Sequence, residues 1–356
     1  MSITRLIRPD IREMRAYDAA EQVDDTIRLN ANESPRQTPV GNFRRPLNRY
    51  PEVRPQQLQK ALAKRFGCEI DELLVTRGSS EAIDLVIRTF CQAGKDSVLV
   101  TSPSFSMYRH YARVQGARLI EVQTSPEHDF AIDVDAILDA CDDSTRLIFV
   151  CSPNNPTGTS LPGTELERLL RERGDASAIV VDEAYIEFGD KPSATRLFAR
   201  YDNLLVLRTL SKALGFAGAR CGAVAGPADV VQVLSAVQAP YALATPVVEC
   251  VEDVLEADQL ELAERVVEET VLERERLRTA LADYSFVSKV WPSDANFLLI
   301  RVADAPRIMR GCAEHNVLLR HFGGELDDCI RISVGSRDEN EALLRALDSL
   351  GGDSDG

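Results

Sequence analysis

Short runs of Val, Ile and Leu alternate with stretches of helical periodicity through about 200 residues of this 356-residue chain. These runs predict strands at Leu73–Thr76, Ser97–Thr101, Arg118–Val122, Arg146–Cys151, Ala178–Val181, Leu204–Leu207 and Gly222–Ala225. Helices are predicted between many of them, among others at Ser79–Cys91, Phe105–Gln115 and Thr164–Arg173. The alternation favours an α/β fold whose central sheet is mostly parallel, buried and flanked by helices.

The rest of the chain follows different patterns, and four segments are predicted. Residues 1–40 are expected to form an extended arm, residues 41–250 the large α/β domain, and residues 251–350 a smaller α+β domain. Within the large domain, Ser79 is predicted to be the N-cap of its helix. The small domain begins with one long charged helix over residues 256–285, predicted to present a solvated face. Strands are predicted at Ala295–Val302, Val317–Arg320 and Cys329–Val334, helices at residues 305–315 and 337–349, and a disordered tail at 351–356.

Charge and cysteine content exclude several classes of function. The net charge of -15 argues against nucleic acid and anionic membranes, both of which need a basic protein face. The eight cysteines contain no Cys-x-x-Cys pair, and the four histidines have no zinc-binding spacing, so no metal is expected. Neither a signal region nor an apolar run of about 18 residues is present, so a cytoplasmic protein with reduced thiols is predicted.

Five polar motifs follow or flank the predicted strands in a fixed order. They are Ser-Pro-Asn-Asn-Pro-Thr-Gly at 152–158, Asp-Glu-Ala-Tyr at 182–185, Thr-Leu-Ser-Lys at 209–212, Gly-Ala-Arg at 218–220 and Arg-Ile-Ser-Val-Gly at 331–335. Each motif alone is weak, but the ordered set resembles the fold-type I transferases that depend on pyridoxal phosphate (PLP). Together with Asn-Arg-Tyr-Pro-Glu at 48–52, it is most similar to the histidinol-phosphate aminotransferase family.

The resemblance implies a catalytic group around the cofactor ring. Lys212 would react with the aldehyde of PLP, and Asp182, at the end of a predicted strand, would keep the pyridine nitrogen protonated. Asn155 and Tyr185 would bind the phenolic oxygen of the ring. Phe105 stands where the family often has a stacking tyrosine, so it keeps the aromatic face but loses the hydroxyl.

The remaining implied residues bind anionic groups. Gly78, Ser79 and Ser80 open a predicted helix whose free N–H groups can face the cofactor phosphate. Ser80 stands where an acidic residue is common in the family. Further contacts to this phosphate would come from Ser211, from Arg220 and from Tyr50 of the neighbouring subunit of a homodimer. Substrate binding is assigned to Arg331, Arg320, Tyr17 and Asn32.

The family implies a reaction with small-molecule substrates. An amino group would move between L-histidinol phosphate and 2-oxoglutarate, giving imidazole acetol phosphate and glutamate in histidine biosynthesis. Two enzymatic alternatives would use the same cofactor groups: an aromatic amino acid aminotransferase and a decarboxylase of a phosphorylated amino acid. A third alternative, of a different class, is a non-catalytic regulator with this fold that binds a partner. The regulator is disfavoured because every cofactor position is filled and no additional DNA-binding domain is apparent.

Overall fold

The computed structural model describes residues 3–13 and 43–351 and contains two β-sheets. The strands are β1 Leu73–Thr76, β2 Ser97–Ser102, β3 Arg118–Gln123, β4 Thr145–Cys151, β5 Ala178–Asp182, β6 Leu204–Thr209, β7 Gly222–Ala225, β8 Val287–Val290, β9 Phe297–Val302, β10 Arg320–His321 and β11 Cys329–Ser333. The helices are α1 Pro9–Arg12, α2 Gln56–Phe66, α3 Gly78–Phe90, α4 Met107–Gln115, α5 Val134–Ala140, α6 Gly163–Arg173, α7 Ala228–Val237, α8 Thr245–Val254, α9 Ala257–Ala282, α10 Ala305–Glu314 and α11 Arg337–Gly351.

The larger sheet has the strand order β1-β7-β6-β5-β4-β2-β3. The five strands from β6 to β3 are parallel, whereas β7 runs antiparallel to both β6 and β1. Because side chains alternate along a strand, Phe149 of β4 enters the core on one face of the sheet and Ile148 and Val150 enter the core on the other. The predicted α/β fold with a mostly parallel, buried sheet is confirmed.

The smaller sheet is antiparallel, with the order β10-β11-β9-β8, and packs with α9, α10 and α11 around its own core. Its α+β character agrees with the prediction, but two strands differ. β8 was not predicted, since half of its residues are polar and its ends are only half-buried. The strand predicted at Val317–Arg320 is wrong in its bounds: the Val317 N–H bonds to Cys312 O and closes α10, so pairing begins only at Arg320.

The N-terminal segment also differs from the expected extended arm. Residues 3–6 form a 3-10 helix, and α1 follows it. Ile3, Ile7 and Ile11 recur every four residues and are buried in the core that covers one face of the large sheet. Within residues 3–13, the prediction of an extended arm is therefore wrong. The rest of the predicted arm, up to residue 40, lies outside the described residues, as do residues 352–356 of the tail.

Helix α9 presents a charged face to solvent along most of its length, as predicted, but Arg274 departs from this pattern. Arg274 is buried, and its Nη1 donates to the carbonyls of Phe188 and Ala295 at 3.0 and 2.9 Å. Leu277 and Leu281 belong to the core of the small sheet. The predicted solvated face is thus wrong at Arg274, and this part of the helix packs against the small sheet and the segment after β5. The domain boundary predicted near residue 250 falls within α8 and stays a prediction. Within the described ranges, every helix is too short or too polar to cross a membrane.

Candidate active site

A cavity of about 880 Å³ opens at the carboxyl ends of the parallel strands, where open α/β sheets bind ligands. It lies between the large sheet and the loop that follows β10. Most of the residues predicted to form the site line it: Ser79, Ser80, Phe105, Asn155, Asp182, Tyr185, Ser211, Lys212, Arg220, Arg320 and Arg331. The fold thus brings together residues that are up to 252 positions apart in the sequence, from Ser79 to Arg331.

Lys212 projects into this cavity from the turn after β6. The turn is fixed by the Leu210 N–H, which donates to Cys221 O, and by the Gly215 N–H, which donates to Lys212 O. Partial desolvation, followed by the nearby Arg331 and Arg220, lowers the pKa of the Lys212 amine, although Asp182 acts in the opposite direction. The side chain stays accessible from the open cavity. A neutral, reachable amine is therefore easier to form here than on an ordinary surface lysine.

Asp182 ends β5 and is only 2% exposed. Its Oδ1 accepts a hydrogen bond from the Ala184 N–H at 3.1 Å, and its Oδ2 accepts one from the Tyr108 hydroxyl at 2.7 Å. Burial raises the pKa of the carboxyl, while both hydrogen bonds and the nearby Lys212 favour the charged form. Asp182 is thus a buried carboxylate held at one orientation on the cavity wall.

Tyr108 is a site residue that the sequence reasoning missed. It is fully buried, stacks on Phe149 at 4.9 Å between ring centroids, and lies edge-on to Phe105 at 5.7 Å. The available signal was its spacing: Phe105 and Tyr108 are three residues apart, which places both on one face as α4 begins. Phe105 lines the cavity, and Tyr108 reaches beneath it to Asp182.

Asn155 links the two sheets. Its Nδ2 donates to the Tyr185 hydroxyl at 3.2 Å, and its Oδ1 accepts from Nη1 of Arg331 on β11. Arg331 also lies over the rings of Phe297 and Phe322, at 5.2 and 5.7 Å from their centroids. Burial is the main factor that lowers the pKa of Arg331. The guanidinium is therefore fixed in direction at the point where the small sheet meets the cavity.

The N-terminus of α3 and Arg220 form a second polar region of the cavity. The helix begins at Gly78 and has no side-chain cap, so the predicted N-cap role of Ser79 is wrong and Ser79 lies in the first turn. Ser79 and Ser80 line the cavity beside free helical N–H groups. Arg220 has a φ of 51°, a left-handed conformation that is uncommon outside glycine, and its Nη1 lies 3.4 Å from Ser211 Oγ. These groups form a positive region of the cavity whose donors are suited to an anion.

A buried ion-pair network joins the segment after β5, the strand that ends at Asp182, to β6, the strand that precedes Lys212. Arg208 of β6 bonds Glu187 at 2.6 Å and approaches Glu183 at 3.4 Å, while its guanidinium lies 4.6 Å from the ring centroid of Phe66. Glu183 in turn accepts 2.6 Å bonds from Ser193 and the Ala194 N–H. The segment after β5 is therefore bonded to β6, which fixes the spacing of the two catalytic candidates.

The other predicted residues are placed less centrally. Arg320 is exposed at the rim of the cavity, 5.6 Å from the ring centroid of Phe322. Tyr50 lies outside the residues that line the cavity, is 51% exposed, and stacks on Tyr241 at 4.7 Å. Tyr17 and Asn32 fall outside the described residues. Among residues 3–13 and 43–351, no cluster of three or more His, Cys, Asp or Glu side chains is arranged for a metal ion.

Residues 20–347 match the model of the family described as aminotransferase class I and II. The chain belongs to this family. A histidinol-phosphate aminotransferase from Xanthomonas campestris is 42% identical over 97% of this chain and 97% of its own length. The resemblance that the motifs indicated is therefore confirmed.

Solved structures show the same fold. The histidinol-phosphate aminotransferase from Clostridium acetobutylicum superposes with a TM-score of 0.78 at 23% identity, covering 86% of this chain and 91% of that one. The Sinorhizobium meliloti histidinol-phosphate aminotransferase in complex with pyridoxal-5'-phosphate gives a TM-score of 0.76 at 22% identity, with coverage of 85% and 84%. These two comparisons show the fold of the chain.

The donor set of the cavity fits a phosphorylated pyridine aldehyde. An amine of lowered pKa, a buried carboxylate and a positive region at a helix N-terminus face one space. Gly78 allows Arg220 to approach this helix N-terminus closely, because a Cβ at position 78 would stand 2.8 Å from Arg220 Nη2. Three different chemical requirements of PLP thus have a matching group on this chain.

Proposed function

We propose that this chain is a PLP-dependent aminotransferase that exchanges an amino group between L-histidinol phosphate and 2-oxoglutarate. The observation that carries the proposal is the joint presence of Lys212, Asp182 and Arg331 around one cavity at the carboxyl edge of the sheet. The extensive similarity to a histidinol-phosphate aminotransferase supports the choice of substrate.

The cofactor, when bound, would withdraw electrons from the bonds to the α-carbon of the amino donor. In this proposal Lys212 holds the cofactor and then removes and returns the α-proton, a role that its lowered pKa suits. Asp182 would hold the ring nitrogen in its protonated form. Asn155 and Tyr185 bind the phenolic oxygen, and their mutual hydrogen bond fixes both side chains before a ligand arrives. Phe105 supplies an aromatic face against the ring.

Anionic groups would be held at the two basic ends of the cavity. Gly78, Ser79 and Ser80 begin α3 and offer backbone N–H groups to the cofactor phosphate, and Ser211 and Arg220 add side-chain donors. At the other end Arg331 binds the carboxylate of glutamate and the phosphate of histidinol phosphate in alternate half-reactions. Arg320 at the rim adds a second cation for the phosphate.

The proposal includes a cytoplasmic homodimer whose sites are composite. Tyr50 lies outside the residues that line its own cavity and is half exposed, which suits a side chain that reaches the cofactor phosphate in a neighbouring subunit. Tyr17 and Asn32 are assigned to the substrate on the resemblance alone.

Two assays test this function in sequence. Protein loaded with PLP and given glutamate should release stoichiometric 2-oxoglutarate without any second substrate, which a non-catalytic regulator would not do. Steady-state kcat/KM should then favour histidinol phosphate over histidinol, phenylalanine and tyrosine. Equal use of phenylalanine would make an aromatic aminotransferase the better assignment, and release of CO₂ from a phosphorylated amino acid would favour a decarboxylase.

A further inference from the structure

Tyr108 has no part in the chemistry derived so far, yet it makes the shortest side-chain contact to Asp182. Its hydroxyl donates to Oδ2 at 2.7 Å, and the phenol ring is held on Phe149 below and against Phe105 at its edge. The tyrosine is only 1% exposed. Burial and the two ring contacts restrict the Tyr108 side chain and hold its hydroxyl against the carboxylate.

We propose that Tyr108 is a positioning residue whose hydrogen bond keeps Asp182 charged. The proton between Asp182 and the nitrogen of the cofactor ring then stays on the nitrogen. This inference rests on the proposed function. The carboxylate has two oxygens, and the Ala184 N–H and the Tyr108 hydroxyl each occupy one of them while leaving the remaining lone pairs free. Both donors stabilise the charged carboxylate and disfavour its protonated form.

The need for such a donor follows from the surroundings of Asp182. Burial alone would favour a neutral carboxylic acid, and a neutral acid would leave the ring nitrogen without its proton and weaken the ring as an electron acceptor. Among the described residues, the groups that interact with Asp182 are Tyr108, Tyr185, the Cys151 thiol, the Ala184 N–H and Lys212. Burial raises the pKa of Tyr108 well above its ordinary value, so the phenol stays protonated and can only donate to a charged Asp182.

The test is Tyr108→Phe, which removes the hydroxyl and keeps the ring stack. Protein is loaded with PLP that carries ¹⁵N in the ring, and the ring-nitrogen chemical shift, which separates protonated from unprotonated pyridine, is measured. We expect the shift to move toward the unprotonated position. We also expect kcat with glutamate to fall by about 10- to 100-fold, in line with the loss of a hydrogen bond to a charged group, with little change in KM.

The control is Tyr284→Phe. Tyr284 also donates to a carboxylate at 2.7 Å, that of Asp348, but it lies outside the cavity on the small domain. The Tyr284→Phe variant should leave both the ring-nitrogen shift and kcat unchanged. Should Tyr108→Phe fail to fold, 4-aminophenylalanine introduced at position 108 retains a weaker donor of similar reach and should give an intermediate shift.

A ring-nitrogen resonance in either position-108 variant that matches the unmodified protein overturns the role of Tyr108. That result would leave the proposed function standing, provided the unmodified protein transaminates. An unmodified protein that neither bonds PLP at Lys212 nor converts glutamate would instead refute the proposed function.

Discussion

The guanidinium of Arg220 packs directly against the backbone of Gly78, at the start of α3. A Cβ added to Gly78 would stand 2.8 Å from Arg220 Nη2, closer than real Cβ contacts, and the φ of Gly78 is +73°. Glycine is therefore required here both by its backbone conformation and by the arginine. This contact places the positive charge of Arg220 beside the first N–H groups of the helix.

Gly78→Ala should weaken PLP binding as well as the fold. The added methyl group would displace Arg220 from the proposed phosphate region, and the left-handed backbone would be strained by about 1 kcal/mol or more. Gly94→Ala separates these effects, since Gly94 has a φ of +70° but no atom within 4 Å of its added Cβ. It should lose stability alone. PLP dissociation constants and urea denaturation measure the two quantities, and equal PLP affinity in both variants would contradict the role of the contact.

Lys212→Ala should lower turnover by about 10²- to 10⁴-fold, because the proton-transfer group is removed. Lys191→Ala is the matched control, since Lys191 is exposed and pairs with Asp190 outside the cavity. Borohydride reduction of the PLP-loaded protein followed by peptide mapping should find the label on Lys212. A label on another lysine would remove Lys212 from the mechanism.

Replacement of Asp182 should strongly reduce activity. Asp182→Ala is expected to lower kcat by about 10²- to 10³-fold, as for a preorganised electrostatic group, whereas Asp190→Ala at an exposed site should retain it. Near-normal turnover in Asp182→Ala would exclude this carboxylate from catalysis.

The pH dependence of stability gives an independent test of the buried carboxyl. Burial raises the pKa of Asp182 in the folded state above its value in the unfolded chain. The protonated carboxyl therefore contributes to the free energy of unfolding, and this contribution is lost as pH rises through the raised pKa. Asp182→Asn, which cannot ionise, should therefore raise the unfolding free energy of the cofactor-free protein at neutral pH. The gain should shrink as pH falls through that pKa. Urea denaturation at several pH values measures it, and a gain independent of pH would show that charge burial is not its cause.

Mixed dimers test whether Tyr50 completes the neighbouring site. Lys212→Ala and Tyr50→Ala, each impaired alone, should regain activity when refolded together, because one hybrid site would contain both native residues. Lys212→Ala mixed with Asp182→Ala is the control. Lys212 and Asp182 line one cavity of one chain, so no hybrid site would be intact. A fully active monomer in sedimentation would contradict the composite site.

Arg320→Ala should impair histidinol phosphate more than glutamate. Arg331 would still bind the carboxylate of glutamate, whereas the phosphate of histidinol phosphate would lose one of its two cations. Loss of one partner typically costs about 2–5 kcal/mol for a desolvated charged contact and less at an exposed rim. Arg310→Ala, on the exposed side of α10 and away from the cavity, is the control. Equal losses of kcat/KM for both substrates would show that Arg320 does not recognise the phosphate.

The amino-acid sequence by itself determined the large sheet and the residue types of the site. Strands such as Ala178–Val181 are continuous apolar runs, and burial on both faces of a parallel sheet leaves little alternative for them. Lys212, Asp182 and Asn155 each follow such a run, so their place at the carboxyl edge was predictable from local patterns. The spacing of Ile3, Ile7 and Ile11, four residues apart, is also a local pattern, although the recurrent proline and polar residues of this segment favour an extended arm.

Tertiary structure decided the features that depend on distant contacts. Tyr108 meets Asp182 across 74 residues, and Arg331 meets Asn155 across 176, so no local pattern reports either bond. Arg274 is buried because two carbonyls of other segments accept its hydrogen bonds, although its own helix is highly charged. Local sequence determines which residues end a strand or begin a helix, whereas the ionisation and orientation of a buried group depend on the partners that folding supplies.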